Sequence, residues 1–317
     1  MLTALQSVFT VLLMIATGFG LAKARWFEGG GTALISKLVV NVALPAYMIY
    51  NFMSGYDRAK LLSMLPGLPV PFAVITLSYL IAFALAFLFN VKKAKRGVFQ
   101  AMIAFSNAIF IGIPLNIMLF GETSVPYSLL YYIANTTLFW TIGVYGIAKD
   151  ASLRKNTPKP SLISLSGLRR ILSPPIIGFL SAVVMILIGI TLPKSILDTV
   201  KYLGNLTTPL SMLFIGIVIA RVEWKKFTLS REYTLVVLGR FVLAPLLMLG
   251  LVSTLNLPPL MKQVFVLDSA LPGLAQNTIL SEAFGADSEY AAIGTSLTTV
   301  LSIIVIPLCM ALMGSVL

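Results

Sequence analysis

Residues 106–114 read SNAIFIGIP and residues 269–277 read SALPGLAQN. Each stretch lies in the middle of a long apolar run, and each places polar side chains, a glycine and a proline where a continuous helix would tolerate them poorly. Proline removes a backbone donor and clashes with the preceding turn, and glycine is a weak helix former, so both runs are expected to unwind near their midpoints. Unwound backbone survives at bilayer depth only where it is buried in protein or lines a cavity. The two breaks therefore mark the segments around which the rest of the chain is organised.

A bilayer is the medium that the composition demands. Of 317 residues, 58% are hydrophobic and 11% charged, against about 25% charged in soluble domains; the mean hydropathy is +0.96. Apolar runs fall near 4–22, 33–52, 69–90, 98–119, 126–147, 174–192, 202–220, 233–255, 263–284 and 290–314. Each is about the 20 residues that a span requires, which gives ten spans and no large soluble domain. The first run has no basic segment before it and no small-residue cleavage site before Lys23, so it reads as a retained span. Histidine is absent and Cys309 is the single cysteine, which removes zinc sites, His-based triads and disulfide frameworks.

The net charge of +12 is topological. Assigned alternately, the connections carry 16 Lys and Arg on one side and 5 on the other. This puts the basic loops in the cytoplasm of a multi-pass inner (plasma) membrane protein and both termini outside. No nucleic-acid partner is implied. The connection 148–173 contains KNTPKP and a leucine stripe (Leu162, Leu165, Leu168, Leu172) beside Arg169 and Arg170, which fits either a helix on the membrane surface or a simple linker.

Comparison of residue i with residue i+164 superposes Asn41 and Pro45 on Asn205 and Pro209, and Phe120 and Gly121 on Phe284 and Gly285. Gln100 with Gln263 and Ser106 with Ser269 fall one residue short of that register. The chain thus divides into a first five-span repeat (1–147), a cytoplasmic linker (148–173) and a second repeat (174–317). Five is odd, so the second copy enters the membrane in the opposite sense, as in many secondary transporters. The expected fold is all-α and integral to the membrane: ten transmembrane helices in two inverted five-helix repeats, with spans four and nine discontinuous and crossing.

Half-helix N-termini at such breaks present partial positive charge and free N–H groups to an anion. Ionisable residues at depth are costly and so become candidates. Arg240 lies a third of the way into span eight; Asp268 precedes the second break and Glu282 follows it. Arg240 could pair with Asp268, receive a substrate carboxylate, or be structural. Asn41, Asn205, Thr207 and Thr208 fit helix packing as well as a site, and Asn51, Asn135, Thr136 and Thr137 carry less weight still. An intramembrane enzyme would need a matched catalytic pair. Asp268 and Glu282 are 14 residues apart, roughly 21 Å along a helix, and no other pair is available.

SNAIFIGIPLNIMLFG (106–121), ALPGLAQNTILSEAFG (270–285), SIIVIPL (302–308) and VALPAYMIYNF (42–52) resemble the auxin efflux carrier family, in order and over essentially the whole chain. That family includes plant PIN-type auxin exporters and bacterial malate and malonate permeases. The resemblance implies a scaffold of spans one, two, six and seven and a transport domain of the others, with spans four and nine crossing at their breaks. It places the family's crossover asparagine on Asn107 and its crossover proline on Pro272. Ser106 stands where plant members have proline, and their long cytoplasmic loop is missing, which favours a bacterial-type organic-anion carrier.

The function expected is secondary transport of small organic anions such as malate, malonate or auxin-like carboxylates, by elevator-type alternating access. A transporter-like ligand sensor, or a channel for another solute, is the alternative. The candidate substrate-binding residues are Asn107, Gly112, Pro114, Arg240, Pro272, Gly273, Gln276 and Asn277, and Asp268 is the candidate coupling site. No cofactor or metal is expected; coupling to H+ or Na+, the direction of transport and the identity of the anion stay open. The lipid bilayer and a small carboxylate are the expected partners, with a homodimer implied by analogy to the family.

Overall fold

A computed structural model describes residues 2–27, 31–156, 174–221 and 230–316. Among these residues the chain is all-helical. The helices are α1 (Leu2–Lys23), α2 (Gly31–Gly55), α3 (Arg58–Leu88), α4 (Arg96–Ala104), α5 (Ala108–Phe120), α6 (125–155), α7 (Pro174–Ile188), α8 (Lys194–Ala220), α9 (Arg231–Thr254), α10 (Pro259–Ser269), α11 (Gln276–Phe284) and α12 (Ser288–Val316). Five of them, α2, α3, α8, α9 and α12, are long and apolar enough to cross a membrane. The fourth and ninth apolar runs are each divided, into α4 with α5 and α10 with α11; the second break contains Pro272 and Gly273 as expected, whereas the first falls at 105–107, ahead of Gly112 and Pro114, which lie inside α5. The leucine stripe of the 148–173 connection lies outside the described residues.

Proline also shapes helices that do not break. A five-residue π-helical turn occupies Val39–Ala43 just before Pro45, Gly239–Leu243 just before Pro245 and Ala108–Gly112 just before Pro114. The ring's collision with the preceding turn is relieved by widening that turn, so the helix continues with a bulge.

The helices form two compact units. Unit 1 comprises 1–66, 109–129 and 172–221, and unit 2 comprises 67–108, 130–171 and 222–317. In unit 1, α1 lies along α8 and α2 along α7. Both crossings rest on glycine: a Cβ on Gly18 would strike the Leu213 backbone, and one on Gly178 would meet the Pro45 backbone at 2.7 Å. Lipid tails offer apolar side chains no advantage in meeting one another, so close backbone approach through small residues supplies the packing energy.

Unit 2 holds the second part of α3, then α4, most of α6, and α9 to α12. Here α4 crosses α6 where Gly97 meets Gly146. At the basic end of this unit a small ion cluster fastens four helix ends. The Asp287 carboxylate lies 3.3 Å from both Lys95 and Arg154, its Oδ1 accepts the Tyr290 N–H at 3.1 Å, and Lys155 donates to the Phe284 carbonyl at 2.8 Å. Partial burial would raise the Asp287 carboxyl, but the Tyr290 N–H and the Lys95 and Arg154 cations prevail and hold it below the usual carboxylate value. The short half-helices α4 and α11 are thus anchored at their outer ends.

Candidate functional site

The inner ends of the half-helices meet in unit 2. Ser106 and Gly273 form an isolated antiparallel bridge. The Asn107 N–H donates to the Pro272 carbonyl at 2.9 Å, and the Leu274 N–H to the Phe105 carbonyl at 3.1 Å. The two unwound segments therefore satisfy part of each other's backbone, a requirement wherever helical bonding is lost in an apolar medium.

The remaining bonds come from the two helices alongside. Asn135 on α6 accepts the Ser106 N–H through Oδ1 and donates through Nδ2 to the Ser106 carbonyl, both at 3.0 Å. Thr298 on α12 accepts the Gly273 N–H through Oγ1 at 3.1 Å, while its own hydroxyl donates to the Thr295 carbonyl at 2.9 Å. Sequence reasoning gives Asn135 little weight and does not single out Thr298. A signal is nevertheless present: the two positions are 163 apart, the same offset as the Gln100–Gln263 and Ser106–Ser269 pairs.

Arg240, in the widened turn of α9, is fully buried. One terminal nitrogen donates to the Ile103 carbonyl at 2.7 Å, and the other to the Ser269 carbonyl. Those carbonyls belong to the last turns of α4 and α10, the two half-helices that end at the crossover. A helix C-terminus carries about half a unit of negative charge on its unsatisfied carbonyls. One guanidinium thus caps two helix ends at once, a geometry suited to its forked donors. The Tyr131 hydroxyl lies beside it.

The other sequence-derived candidates divide between the units. Asn107, Pro272, Gly273, Gln276, Asn277, Asp268 and Arg240 all belong to unit 2, and the first four lie on or beside the crossed segments. Gly112 and Pro114 belong to unit 1, where the Gly112 carbonyl accepts from Asn116 Nδ2 at 2.9 Å and Pro114 opens the regular part of α5. Asp268 is buried in the last turn of α10. Asn277, in the first turn of α11, is fully buried, and neither atom of its side-chain amide has a hydrogen-bond partner among the described residues. Gln276 Oε1 and Ser281 Oγ, on the same short helix, are in the same condition. Polar atoms buried without partners cost about 1–3 kcal/mol each. Asn277 and Gln276 stand in the first turn of α11, where a polar ligand would restore the lost bonds; Ser281 is a turn and more further on. Among the described residues, no cluster of acidic or thiol side chains could hold a metal ion.

Comparison with known proteins gives the family. The family described as membrane transport protein matches residues 3–310. An uncharacterized transporter of Methanocaldococcus jannaschii is 23% identical over 320 residues, covering 95% of this chain and 96% of that protein. An uncharacterized transporter of Methanothermobacter thermautotrophicus is 25% identical over 305 residues, covering 96% of each. With a match that spans nearly every residue, the chain belongs to the membrane transport protein family, the auxin efflux carriers that its crossover motifs resemble, and is a transporter and not an enzyme.

Proposed function

We propose that this transporter is a secondary carrier of small organic anions, with mono- and dicarboxylates such as malate or malonate as the substrate class. The observation that carries the reading is the α11 N-terminus, where the buried and unpartnered Nδ2 donor of Asn277 adjoins the crossed segments. An anion there would gain the helix-end potential and side-chain donors together. The Gly273 N–H is bonded to Thr298, and the Asn277 and Thr278 N–H groups to the Leu274 and Ala275 carbonyls, so donation to a carboxylate falls to the side-chain amides of Asn277, Gln276 and Asn107. Pro272 shapes this turn, while Gly112 and Pro114 shape the corresponding turn of α5.

Arg240 acts through the helix ends it caps, offsetting negative potential beneath the anion, and Asp268 is the proton or cation site. The ten-span reading, with repeats 1–147 and 174–317 joined by the linker 148–173, draws support from two exchanges. The α1 with α8 contact and the α7 with α2 contact are the same contact after the repeats are swapped. So are the Asn135 and Thr298 clamps. Unit 1 contains α1, α2, α7 and α8, the four expected scaffold spans, together with α5, the second half of span four, which the expectation gave to the transport domain; the grouping of the four favours an elevator-type mechanism. The protein resides in the inner membrane with basic loops cytoplasmic and both termini outside, and it works as a homodimer.

The test is uptake and counterflow in proteoliposomes for malate, malonate, succinate, citrate and indole-3-acetate, with and without proton or sodium gradients. Saturable flux of one anion that is lost in Asn107→Ala and Asn277→Ala is expected. Absence of flux for every anion, from protein that is folded and monodisperse, would overturn the substrate class.

A further inference from the structure

A cavity lies at the opposite end of α4 from the crossover. It measures about 510 Å³, within the range of small-molecule sites, and is lined wholly by residues of unit 2, from the end of α3, the start of α4 and the later part of α6. Its depth is set by sequence. Apolar α3 ends at Leu88, and the next residues include Lys92, Lys93, Lys95 and Arg96, so the cavity opens where apolar chain gives way to charge. By the 16 to 5 distribution of cations this is the basic side of the membrane.

Three cations face this cavity: Lys93, Arg96 and Lys149. Lys95, on the same turn, and Arg154 are engaged with Asp287, whereas none of the three lining cations takes part in an ion pair among the described residues. The acid in the wall, Asp150, faces Lys149 and Arg96 and caps α4, its Oδ2 accepting the Val98 N–H at 2.8 Å, so the three cations outnumber it. Arg96 is held in place from behind: its Nε donates to the Val91 carbonyl at 2.9 Å, and its guanidinium stacks 4.3 Å from the Phe87 ring. Such anchoring costs an incoming anion less ordering entropy than a free arginine would.

One flank of the cavity is apolar and open. Phe83 and Phe87, one helical turn apart with ring centroids 5.6 Å from each other, are 48% and 58% exposed. A free inorganic anion would satisfy the cations and leave this aromatic flank uncovered. A molecule with a phosphate at one end and acyl chains at the other covers both. Basic pockets between helices at the cytoplasmic face are where anionic lipid headgroups bind.

We propose that the cavity formed by Lys93, Arg96 and Lys149 with Phe83 and Phe87 binds the phosphate of an anionic phospholipid, whose acyl chains run along the exposed face of α3. Asp150 already caps the N-terminal turn of α4, so the attraction for the phosphate comes from Lys93, Arg96 and Lys149. Because α4 ends at the crossover with its Ile103 carbonyl on Arg240, the lipid steadies the outer end of the helix that Arg240 steadies at the inner end.

The experiment is thermal unfolding of the full chain in detergent, titrated with phosphatidylglycerol, with phosphatidylcholine, or with inorganic phosphate. Phosphatidylglycerol is expected to raise the transition temperature saturably while the other two leave it unchanged. Lys93→Gln with Lys149→Gln should weaken the apparent affinity by about thirtyfold. Lys92→Gln, outside the lining, should leave it within about twofold of the parent. Phe83→Ala with Phe87→Ala should weaken phosphatidylglycerol alone. An equal response to phosphatidylcholine, or an unchanged titration in the double lysine variant, would overturn the proposal. So would a response to inorganic phosphate equal to that for the lipid, which would assign the cavity to a free anion. These readouts require no transport, so they fail or succeed separately from the carboxylate reading.

Discussion

Replacement of Arg240 by methionine tests whether one cation holds two half-helix ends together. Methionine keeps most of the length and fills the site, so the change removes charge and donors with little loss of volume. Two buried carbonyls, of Ile103 and Ser269, then lose their side-chain donor. At about 1–3 kcal/mol for each buried acceptor the gross loss is about 2–6 kcal/mol. About 0.3–1 kcal/mol is added for each helix end whose negative potential goes uncompensated. Relief of the desolvation of a fully buried guanidinium works in the other direction and recovers several kcal/mol of the gross figure. The expected net destabilisation is about 2–4 kcal/mol. The Arg240→Lys variant keeps the charge but not the fork, and should fall about midway. The assay is equilibrium unfolding in mixed micelles, followed by far-ultraviolet circular dichroism, with no substrate present. A stability within about 0.5 kcal/mol of the parent for Arg240→Met would refute the capping argument. So would a lysine variant no better than the methionine variant.

Asn135→Ala removes both bonds to the Ser106 backbone and should cost about 2–4 kcal/mol in the same assay; Thr298→Val, with one backbone donor left unmet, should cost about 1–2. Asn277→Ala removes buried polar atoms that have no partners, so it should leave stability unchanged or raised while abolishing flux; a large loss of stability would show that the amide is structural. Gly216→Leu drives a side chain into the Ile15 carbonyl of α1 and should destabilise by more than about 3 kcal/mol, read as loss of monodisperse protein on gel filtration. Asp150 lies beyond the apolar run that ends at 147; burial, opposed by the Val98 and Gly97 N–H groups and by Lys149 and Arg96, raises its carboxyl to about 7. Its folded value is above its unfolded one, so its contribution is fully present below pH about 4 and is lost as pH rises through about 7. Thermal stability should therefore fall between pH 4 and 7 and level off above, and Asp150→Asn should flatten that slope.

The break of span nine was legible because proline and glycine act locally, Pro272 and Gly273 disfavouring regular helix whatever surrounds them; Pro114 marked span four only approximately, since it sits inside α5, past the break at 105–107. The offset near 164 was legible for the same reason, since the residues that define it, Pro45 with Pro209 and Gly121 with Gly285, are those with backbone consequences. Gly285 closes α11 at φ +82°, a conformation that an L side chain rarely adopts. The leucine stripe of the 148–173 connection shows the other extreme. Its leucines and flanking arginines read equally well as surface helix or as linker, because neither reading depends on a local break.

What the sequence concealed is what the breaks require of their neighbours. Asn135 and Thr298 are ordinary small polar residues until an unwound strand passes within 3.1 Å, and that strand belongs to another helix. Arg240 concealed more. A cation at bilayer depth invites a search for an acidic letter, and Asp268, buried in a neighbouring half-helix, is the obvious one to choose. Yet the negative charge that Arg240 meets is written as isoleucine and serine, because it resides on the last carbonyls of α4 and α10. A helix that stops in the membrane creates charge without a charged residue. Two helices stopping at the same place create enough to hold one arginine, and the residue that answers them lies 137 positions from one carbonyl and 29 from the other. The breaks predict that some cation will be needed at that depth, and Arg240 is the cation in span eight that the expected topology leaves there.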